Sequence, residues 1–271
     1  MARYLCQTTL SAVLLLGCGT HDDGDGGGAG ISNAALVGSW VNGYYNGEET
    51  WIFNENGTFR INRTYDLGDG THPGEDETGK WSVNGDLLTL SWAESGVYSG
   101  ERWEENARYT TSIAIVDNQL FLETLNRTSG SIESLSGTWR AVEEESESGF
   151  EGRETYSGRE RETLSLTIVG TDFDLAWTTE WREVEDGEEY GGHDKESLSG
   201  FIETEGEGLR LLSPDGYLKS FDFEDSVDGG VADDDDALFE VYSGFRIARD
   251  VILLYADSEE QAAELGYAKV Q

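Results

Sequence analysis

The sequence is poor in residues that cross-link a chain, bind transition metals or carry positive charge. It has two cysteines and three histidines, and 18 Lys and Arg residues face 55 Asp and Glu residues, for a net charge of −37. No His-x-x-x-His motif or cysteine cluster occurs, so the usual ligands of a zinc or haem site are missing and we predict no cofactor. The negative field repels nucleic acid and anionic headgroups, and it attracts divalent cations only loosely.

Long apolar runs are also missing, and the run near the N-terminus is short. Residues 10–16 fall below the ~20 residues that a membrane-spanning helix needs. A head whose only charge is Arg3 precedes this run, and the small residue Gly17 follows it. This order of parts predicts a signal peptide over residues 1–17. Leu15-Leu16-Gly17-Cys18 resembles the bacterial lipobox.

The lipobox resemblance implies cleavage before Cys18 and lipidation of that residue. Lipidated Cys18 would anchor the protein to a membrane of the cell envelope, for which we expect the outer membrane of a Gram-negative bacterium. An ordinary signal peptide with an incidental cysteine is the alternative. Cleavage removes Cys6, so the remaining chain has no partner for a disulfide. Residues 18–34 begin with a Gly- and Asp-rich run that predicts a flexible tether.

The rest of the chain repeats an opening motif. Leu-Val-Gly-Ser-Trp at 36–40 returns 99 positions later as Leu-Ser-Gly-Thr-Trp at 135–139. A polar segment, 126–131, separates the two copies, so we divide the chain near residue 130. Aromatic residues make up 11% of the sequence, which indicates a folded protein with an acidic surface rather than a disordered chain.

Both copies read as strings of β-hairpins. Apolar residues alternate with polar ones, as at Trp81 and Val83 and then at Leu88 and Leu90, and Asn-Gly pairs mark tight turns. This pattern predicts antiparallel strands with one apolar face. A short helix is predicted from about residue 259 to 265, and the acidic segments 143–151 and 224–236 are predicted to be loops that interrupt the sheet.

The order of these hairpins resembles the bacterial lipocalin-like domains. The resemblance covers residues 36–122 and is carried by Phe-Asn-Glu-Asn-Gly-Thr-Phe at 53–59 and by Gly-Lys-Trp-Ser-Val-Asn-Gly-Asp-Leu-Leu-Thr-Leu at 79–90. The second copy keeps the opening motif and a final apolar pair but lacks the Gly-x-Trp-x-Val hairpin. The resemblance implies an all-β fold of two tandem small antiparallel up-and-down barrels, 35–128 and 134–271, the second with acidic loop insertions. It also implies ligand binding or an envelope role more than catalysis.

Few residues stand out as site candidates. Trp103 lies among charged residues in a predicted loop and is the candidate ligand contact. Four aspartates of a Gly-rich segment are weak calcium candidates, because their spacing does not match a helix-flanked calcium loop: Asp225, Asp228, Asp233 and Asp235. His72 and His193 fall in predicted loops without a Gly-x-Ser-x-Gly motif, so no catalytic residue is predicted.

We therefore predict a non-catalytic, lipid-anchored envelope protein that binds a small apolar ligand or an envelope partner. The alternative is a secreted, glycosidase-like hydrolase whose carboxylate pair is hidden among the surface acids. A connected interior cavity above roughly 300 Å³ would favour ligand carriage. A cleft that holds two close carboxylates beside aromatic residues would favour hydrolysis.

Overall fold

The computed structural model describes residues 31–44, 47–66, 71–98, 101–151, 154–185, 187–213, 239–256 and 258–270. It is mostly β-structure, as predicted, with two short helices in the described residues, α1 (Asn33–Leu36) and α2 (Glu259–Glu264). The strands are β1 (Gly38–Tyr44), β2 (Gly47–Phe53), β3 (Thr58–Asp66), β4 (Thr71–Asn84), β5 (Leu87–Tyr98), β6 (Glu101–Val116), β7 (Gln119–Leu122), β8 (Leu125–Gly130), β9 (Gly137–Glu151), β10 (Glu154–Val169), β11 (Asp172–Glu185), β12 (Glu188–Glu205), β13 (Gly208–Ser213), β14 (Phe239–Ala248), β15 (Val251–Leu253) and β16 (Tyr267–Val270).

The strand pairings run in closed antiparallel circuits. Strands β8 to β15 pair in sequence and β15 pairs back onto β8, which closes an eight-stranded barrel. Strands β1 to β7 also pair in sequence, and β16 pairs with both β1 and β7, which closes the circuit. We call the β1–β7 and β16 set the first circuit and the β8–β15 set the second circuit.

Two features tie the circuits together. Residues Trp103 to Thr111 of β6 pair with residues 143–151 of β9, so both circuits belong to one sheet. The C-terminal strand β16 closes the first circuit although it follows the second circuit in the chain. Strand β8, at the predicted boundary, lies in the second circuit. The division near residue 130 stays a prediction. Any such division must assign the C-terminal strand β16 to the first circuit.

Each circuit has its own apolar core. Trp40 and Trp139, the tryptophans of the repeated motif, are both 0% exposed. Trp40 packs with Trp51, Phe53 and other residues of the first circuit, whereas Trp139 packs with residues of the second circuit. A cation lies over each indole ring: Lys269 Nζ is 4.8 Å from the Trp40 ring centroid and the Arg127 guanidinium carbon is 3.6 Å from that of Trp139.

Local turn and cap chemistry explains the elements that were predicted correctly. Gly57 and Gly85 have φ of 77° and 68°, which a glycine adopts without strain, and each ends a predicted hairpin turn. The predicted C-terminal helix is confirmed as α2, where the Ser258 hydroxyl accepts a hydrogen bond from the Gln261 N–H. No helix within the described ranges is long and apolar enough to span a bilayer.

The loop prediction for the acidic segment 143–151 was wrong. These residues extend β9 and pair with β6 on one side and β10 on the other. Backbone pairing on both sides outweighs the weak strand preference of glutamate, and Arg161 and Arg159 of β10 lie beside Glu144. The polar segment 126–131 likewise falls mostly in β8 rather than in a linker.

Three other residues predicted in loops lie in strands. Trp103 is in β6, His72 is in β4 and His193 is in β12. The reason is the same in each case, because these strands continue past their apolar ends as polar ribbons held by cross-strand backbone hydrogen bonds.

Candidate ligand site

The candidate site lies on the inner face of the second circuit, where the apolar core gives way to acids. Side chains of paired residues in neighbouring antiparallel strands share a face, and every second residue of a strand returns to it. This defines rows of side chains that climb from the core towards the open end of the barrel. Rows one to four, each read across β9, β10, β11 and β12, are Trp139-Leu166-Leu175-Leu198, Ala141-Leu164-Trp177-Glu196, Glu143-Glu162-Thr179-Asp194 and Glu145-Glu160-Trp181-Gly192.

The chemistry changes completely between the first row and the third. Row one is wholly buried core. Row three places Glu143 directly opposite Glu162, and row four places Glu145 opposite Glu160. Like charges directly opposite one another destabilise a sheet, by roughly 0.2–1 kcal/mol for each pair. Two such pairs on one face are therefore a cost that the fold must offset elsewhere.

The pKa values of these carboxyl groups respond to that crowding. Burial, followed by the charge of Glu123, raises the pKa of Glu143 to about 7. Burial also raises the pKa of Glu145 and of Glu162, and the charge of Glu160 adds to both shifts. No arginine or lysine of the described chain forms an ion pair with Glu143, Glu145 or Glu162. Hydrogen bonds with the side chains of Tyr109 and Trp177 act against the pKa shifts of Glu143 and Glu162, but they do not outweigh burial.

Glu123 joins this cluster from the short connection between β7 and β8. Its φ is 54°, a left-handed value that costs a residue with a side chain about 1 kcal/mol or more. The Glu123 N–H donates to the Thr111 hydroxyl, 3.3 Å away, which holds the backbone in that conformation. Burial of its carboxyl group among neighbouring atoms raises the pKa of Glu123, although the residue as a whole is exposed.

A small pocket opens on rows two to four. Its volume is about 270 Å³, close to the lower end for ligand pockets. We call it the Trp177 pocket. Two indoles, one hydroxyl and four carboxylates line it: Trp177, Trp181, Thr179, Glu160, Glu162, Asp194 and Glu196. All of them come from β10, β11 and β12, so three neighbouring strands position the whole lining.

Two details of the pocket are unusual. A Cβ atom on Gly192 would lie 2.5 Å from Trp181 Nε1, so only glycine lets this indole lie across the neighbouring strand. The Glu196 Oε2 atom is buried but accepts no hydrogen bond from the described residues. Four other side-chain atoms of the described residues share this state, those of Asn42, Asn62, Arg127 and Trp139, but Glu196 is the member of this group that lines the pocket.

In the first circuit, a buried acid has an arginine as well as uncharged hydrogen-bond partners. Glu49 accepts hydrogen bonds from Trp51 Nε1 at 2.5 Å, Tyr267 Oη at 2.7 Å and Arg63 Nε at 2.5 Å. Arg63 also pairs with Glu77. Burial by itself lowers the pKa of Arg63, but its bonds to Glu77 and the charges of Glu49 and Glu77 outweigh burial and raise that pKa. Glu49 is thus satisfied by the fold.

A second depression of about 960 Å³ lies where β12, β13 and β14 meet the start of α2. It is larger and open, and its one arginine, Arg210, is already paired with two of the lining acids. Arg210 bonds to Glu240 at 2.6 Å and to Glu203 at 3.2 Å, and all three side chains are exposed. We therefore place the candidate site in the smaller Trp177 pocket.

The residues singled out from the sequence lie away from this pocket or outside the described part of the chain. Trp103 is half-buried and lies against Gly96, whose added Cβ would be 2.6 Å from Trp103 Nε1. This packing gives Trp103 a structural role, and its role as a contact residue stays a prediction. His193 is exposed, 3.8 Å from Glu180. Cys18 and the calcium candidates Asp225, Asp228, Asp233 and Asp235 lie outside the described residues.

The pocket was not predicted, because nothing in the sequence distinguishes Glu160, Glu162, Asp194 and Glu196 from the many other acids of the chain. Some acids and two tryptophans do recur at even spacing: Glu143, Glu145 and Glu147 alternate, as do Glu160 and Glu162, and Trp177 and Trp181 are four positions apart. Alternation at period two places each set on one face of a strand. The register that brings the three strands into line could not be read from the sequence.

Comparisons with known proteins add no assignment. The chain matches no protein-family model, no curated protein and no solved structure. The lipocalin-like resemblance therefore rests on the sequence motifs alone.

Proposed function

We propose that this is a non-catalytic binding protein, anchored through lipidated Cys18, that takes a small ligand into the Trp177 pocket. The observation that carries the proposal is the change along the inner face, where an apolar core ends in a pocket walled by two indoles. Lipocalin-like organisation of the two circuits is part of this proposal. It is supported by the repeated Gly-x-Trp opening and by the matching cation over each of the two tryptophans.

Ligand binding explains the features of the pocket better than a purely structural role does. Trp181 is 37% exposed, whereas the tryptophans of the cores are buried. Pockets for small ligands combine aromatic walls with a few polar groups that fix orientation, which is what Trp177, Trp181 and Glu196 provide. The expected ligand of the sequence analysis, a small apolar molecule, is refined here to one with an apolar part and a polar or charged group.

Ligand-observed NMR with a fragment library tests the binding proposal. The library holds neutral, cationic and anionic fragments, and the protein is the mature chain. We expect fragments whose saturation-transfer signals are lost in Trp181→Ala and retained in Trp103→Ala. The two variants are matched, since each removes an indole that lies across a neighbouring glycine. If no fragment depends on Trp181, the Trp177 pocket is not the ligand site.

The anchor has its own test. Cys18→Ala removes the thiol that would carry the first lipid, so the variant should move from the membrane fraction to the soluble fraction. Metabolic labelling with a fatty acid should mark the wild-type chain and not the variant. If both proteins fractionate alike as soluble protein, the lipoprotein proposal is wrong.

One observation favours a second candidate, a glycosidase-like hydrolase. A general acid of such an enzyme needs a raised pKa, and Glu143 with a pKa of about 7 stands opposite Glu162. The partner carboxylate, however, must stay ionised, and the pKa of Glu162 is raised as well. Binding is therefore the better reading. Hydrolysis of aryl glycosides that is abolished in both Glu143→Gln and Glu162→Gln would establish the enzyme instead.

A further inference from the structure

We propose that the ligand of the Trp177 pocket is a small organic cation that carries its charge on an alkylammonium group. This inference rests on the proposed function and names the class of ligand. It follows from three features of the pocket: the sign of its charge, the faces of its two indoles and the buried oxygen of Glu196.

The charged groups that line the pocket all carry the same sign. They are Glu160, Glu162, Asp194 and Glu196. Arg159 and Arg161 belong to the same strand as Glu160 and Glu162, but they pair with Glu144 on the opposite face of the sheet. The pocket therefore holds negative charge that no cation of the described chain neutralises, and an anionic ligand would be repelled.

The two indoles select the kind of cation. Within the described ranges no group of three or more His, Cys, Asp or Glu side chains is arranged to hold a metal ion. An alkylammonium ion whose nitrogen carries methyl groups, as in choline, instead presents a diffuse charge on an apolar surface, which favours contact with the face of a tryptophan ring. The protein uses this contact elsewhere, since Arg127 lies 3.6 Å from the ring centroid of Trp139.

The Glu196 carboxylate lies in row two, at the bottom of the acidic rows and opposite Trp177. Its Oε2 atom is buried and receives no hydrogen bond from the described residues. Burial of an unpaired carboxylate oxygen is costly unless a donor or a positive charge compensates it. A cation bound in the pocket, which Glu196 lines together with Trp177 and Trp181, would supply that compensation.

Isothermal titration calorimetry of the mature chain at low ionic strength tests the inference with a matched pair of probes. Choline is the cation, and 3,3-dimethylbutan-1-ol is a neutral molecule of nearly the same shape. We expect choline to bind at least about tenfold more tightly than the alcohol. Equal affinity for the two probes, or no binding of choline, overturns the inference.

Matched variants separate the pocket from the general negative field. Glu196→Gln and Glu94→Gln each remove one negative charge, but Glu94 is an exposed residue of β5 in the first circuit. Choline affinity should fall about tenfold in Glu196→Gln, as expected for a charged contact, and stay unchanged in Glu94→Gln. An equal loss in both variants would show non-specific attraction and overturn the inference.

The outcome also distinguishes failure of the inference from failure of the proposed function. If neutral fragments bind in a Trp181-dependent way and choline does not, the pocket is a ligand site but its ligand is not a cation. If neither kind of molecule binds in that way, both the inference and the proposed function are wrong.

Discussion

In the first circuit, buried Glu49 has an arginine, a tyrosine hydroxyl and an indole N–H as partners. In the second circuit, Glu143 and Glu162 face each other with no arginine or lysine pairing either of them in the described chain. In each circuit these acids lie next to an apolar core that contains the tryptophan of the repeated motif. The difference shows that the same architecture can give an inner acid an arginine partner or leave it with uncharged partners, which are Tyr109 for Glu143 and Trp177 for Glu162.

The facing glutamates of the second circuit carry an energetic cost that bears on function. Partly buried carboxylates without a cationic partner destabilise a fold, and proteins tolerate such a cost mainly where a site requires it. The left-handed backbone of Glu123 lies in the same place. The first circuit thus acts as a closed structural unit, and we assign the binding role to the second.

Removal of β16 should have the largest effect, because it opens the first circuit. A chain that ends at Gly266 lacks the strand that bridges β1 and β7, and it lacks the Tyr267 hydroxyl that donates to Glu49. We expect a loss of more than about 4 kcal/mol in the free energy of unfolding, measured by urea titration. An unchanged urea midpoint would mean that β16 is not part of the first circuit.

Arg63→Leu should have the next largest effect, because it leaves Glu49 and Glu77 without their cation. Truncation of one partner in a mostly buried ion pair costs about 3 kcal/mol. Arg159→Leu is the matched control, since its side chain is 55% exposed and its pair with Glu144 lies on the outer face. The control should change stability by no more than about 0.5 kcal/mol. Equal losses in the two variants would remove the distinction between buried and exposed pairs.

Glu143→Gln should show the opposite sign. The folded protein holds a proton on Glu143 up to a pH of about 7, whereas the ordinary pKa of a glutamate is 4.5, so ionisation of Glu143 makes folding less favourable as pH rises through this window. The variant should therefore be more stable than wild type, by about 2 kcal/mol, near pH 8 and equal to it near pH 4. Urea titrations at both pH values measure the difference. A variant less stable than wild type near pH 8 would show that the hydrogen bond between Glu143 and Tyr109 outweighs the cost of the charge on Glu143.

Salt should have the smallest effect of the four. Screening shortens to about 3 Å in 1 M salt, so repulsion among the acids weakens. We expect the melting temperature to rise by several degrees between low salt and about 1 M sodium chloride. The rise should be smaller in Glu143→Gln. Calcium should stabilise no more than an equal concentration of magnesium, and a larger calcium effect would point to the segment that contains Asp225 and Asp233.

The parts of the fold that could be predicted from the sequence are local. Gly57 and Gly85 mark turns because their φ values suit glycine, and alternation placed Trp81 and Leu88 in strands of one hairpin. Ser258 marks the start of α2 because its hydroxyl accepts a hydrogen bond from the Gln261 N–H. Each signal comes from residues only a few positions apart.

The rest depends on contacts between distant parts of the chain. Nothing near Tyr267 indicates that it pairs with Leu120 or that its hydroxyl bonds to Glu49. The acids of 143–151 were assigned to a loop because their strand is held by neighbours on both sides and not by its own apolar residues. The pocket was missed because its rows exist only once the register of β10, β11 and β12 is known.

The most direct test of the account is an NMR titration of the glutamate side-chain carboxyl carbons. The account predicts that Glu143 titrates with a midpoint near the pKa of about 7 that burial and Glu123 impose, and that choline shifts the midpoint of Glu162 downwards. A Glu143 midpoint near the ordinary glutamate pKa of 4.5, together with a Glu162 midpoint that choline does not move, would contradict the claim that the second circuit leaves its inner acids for a ligand.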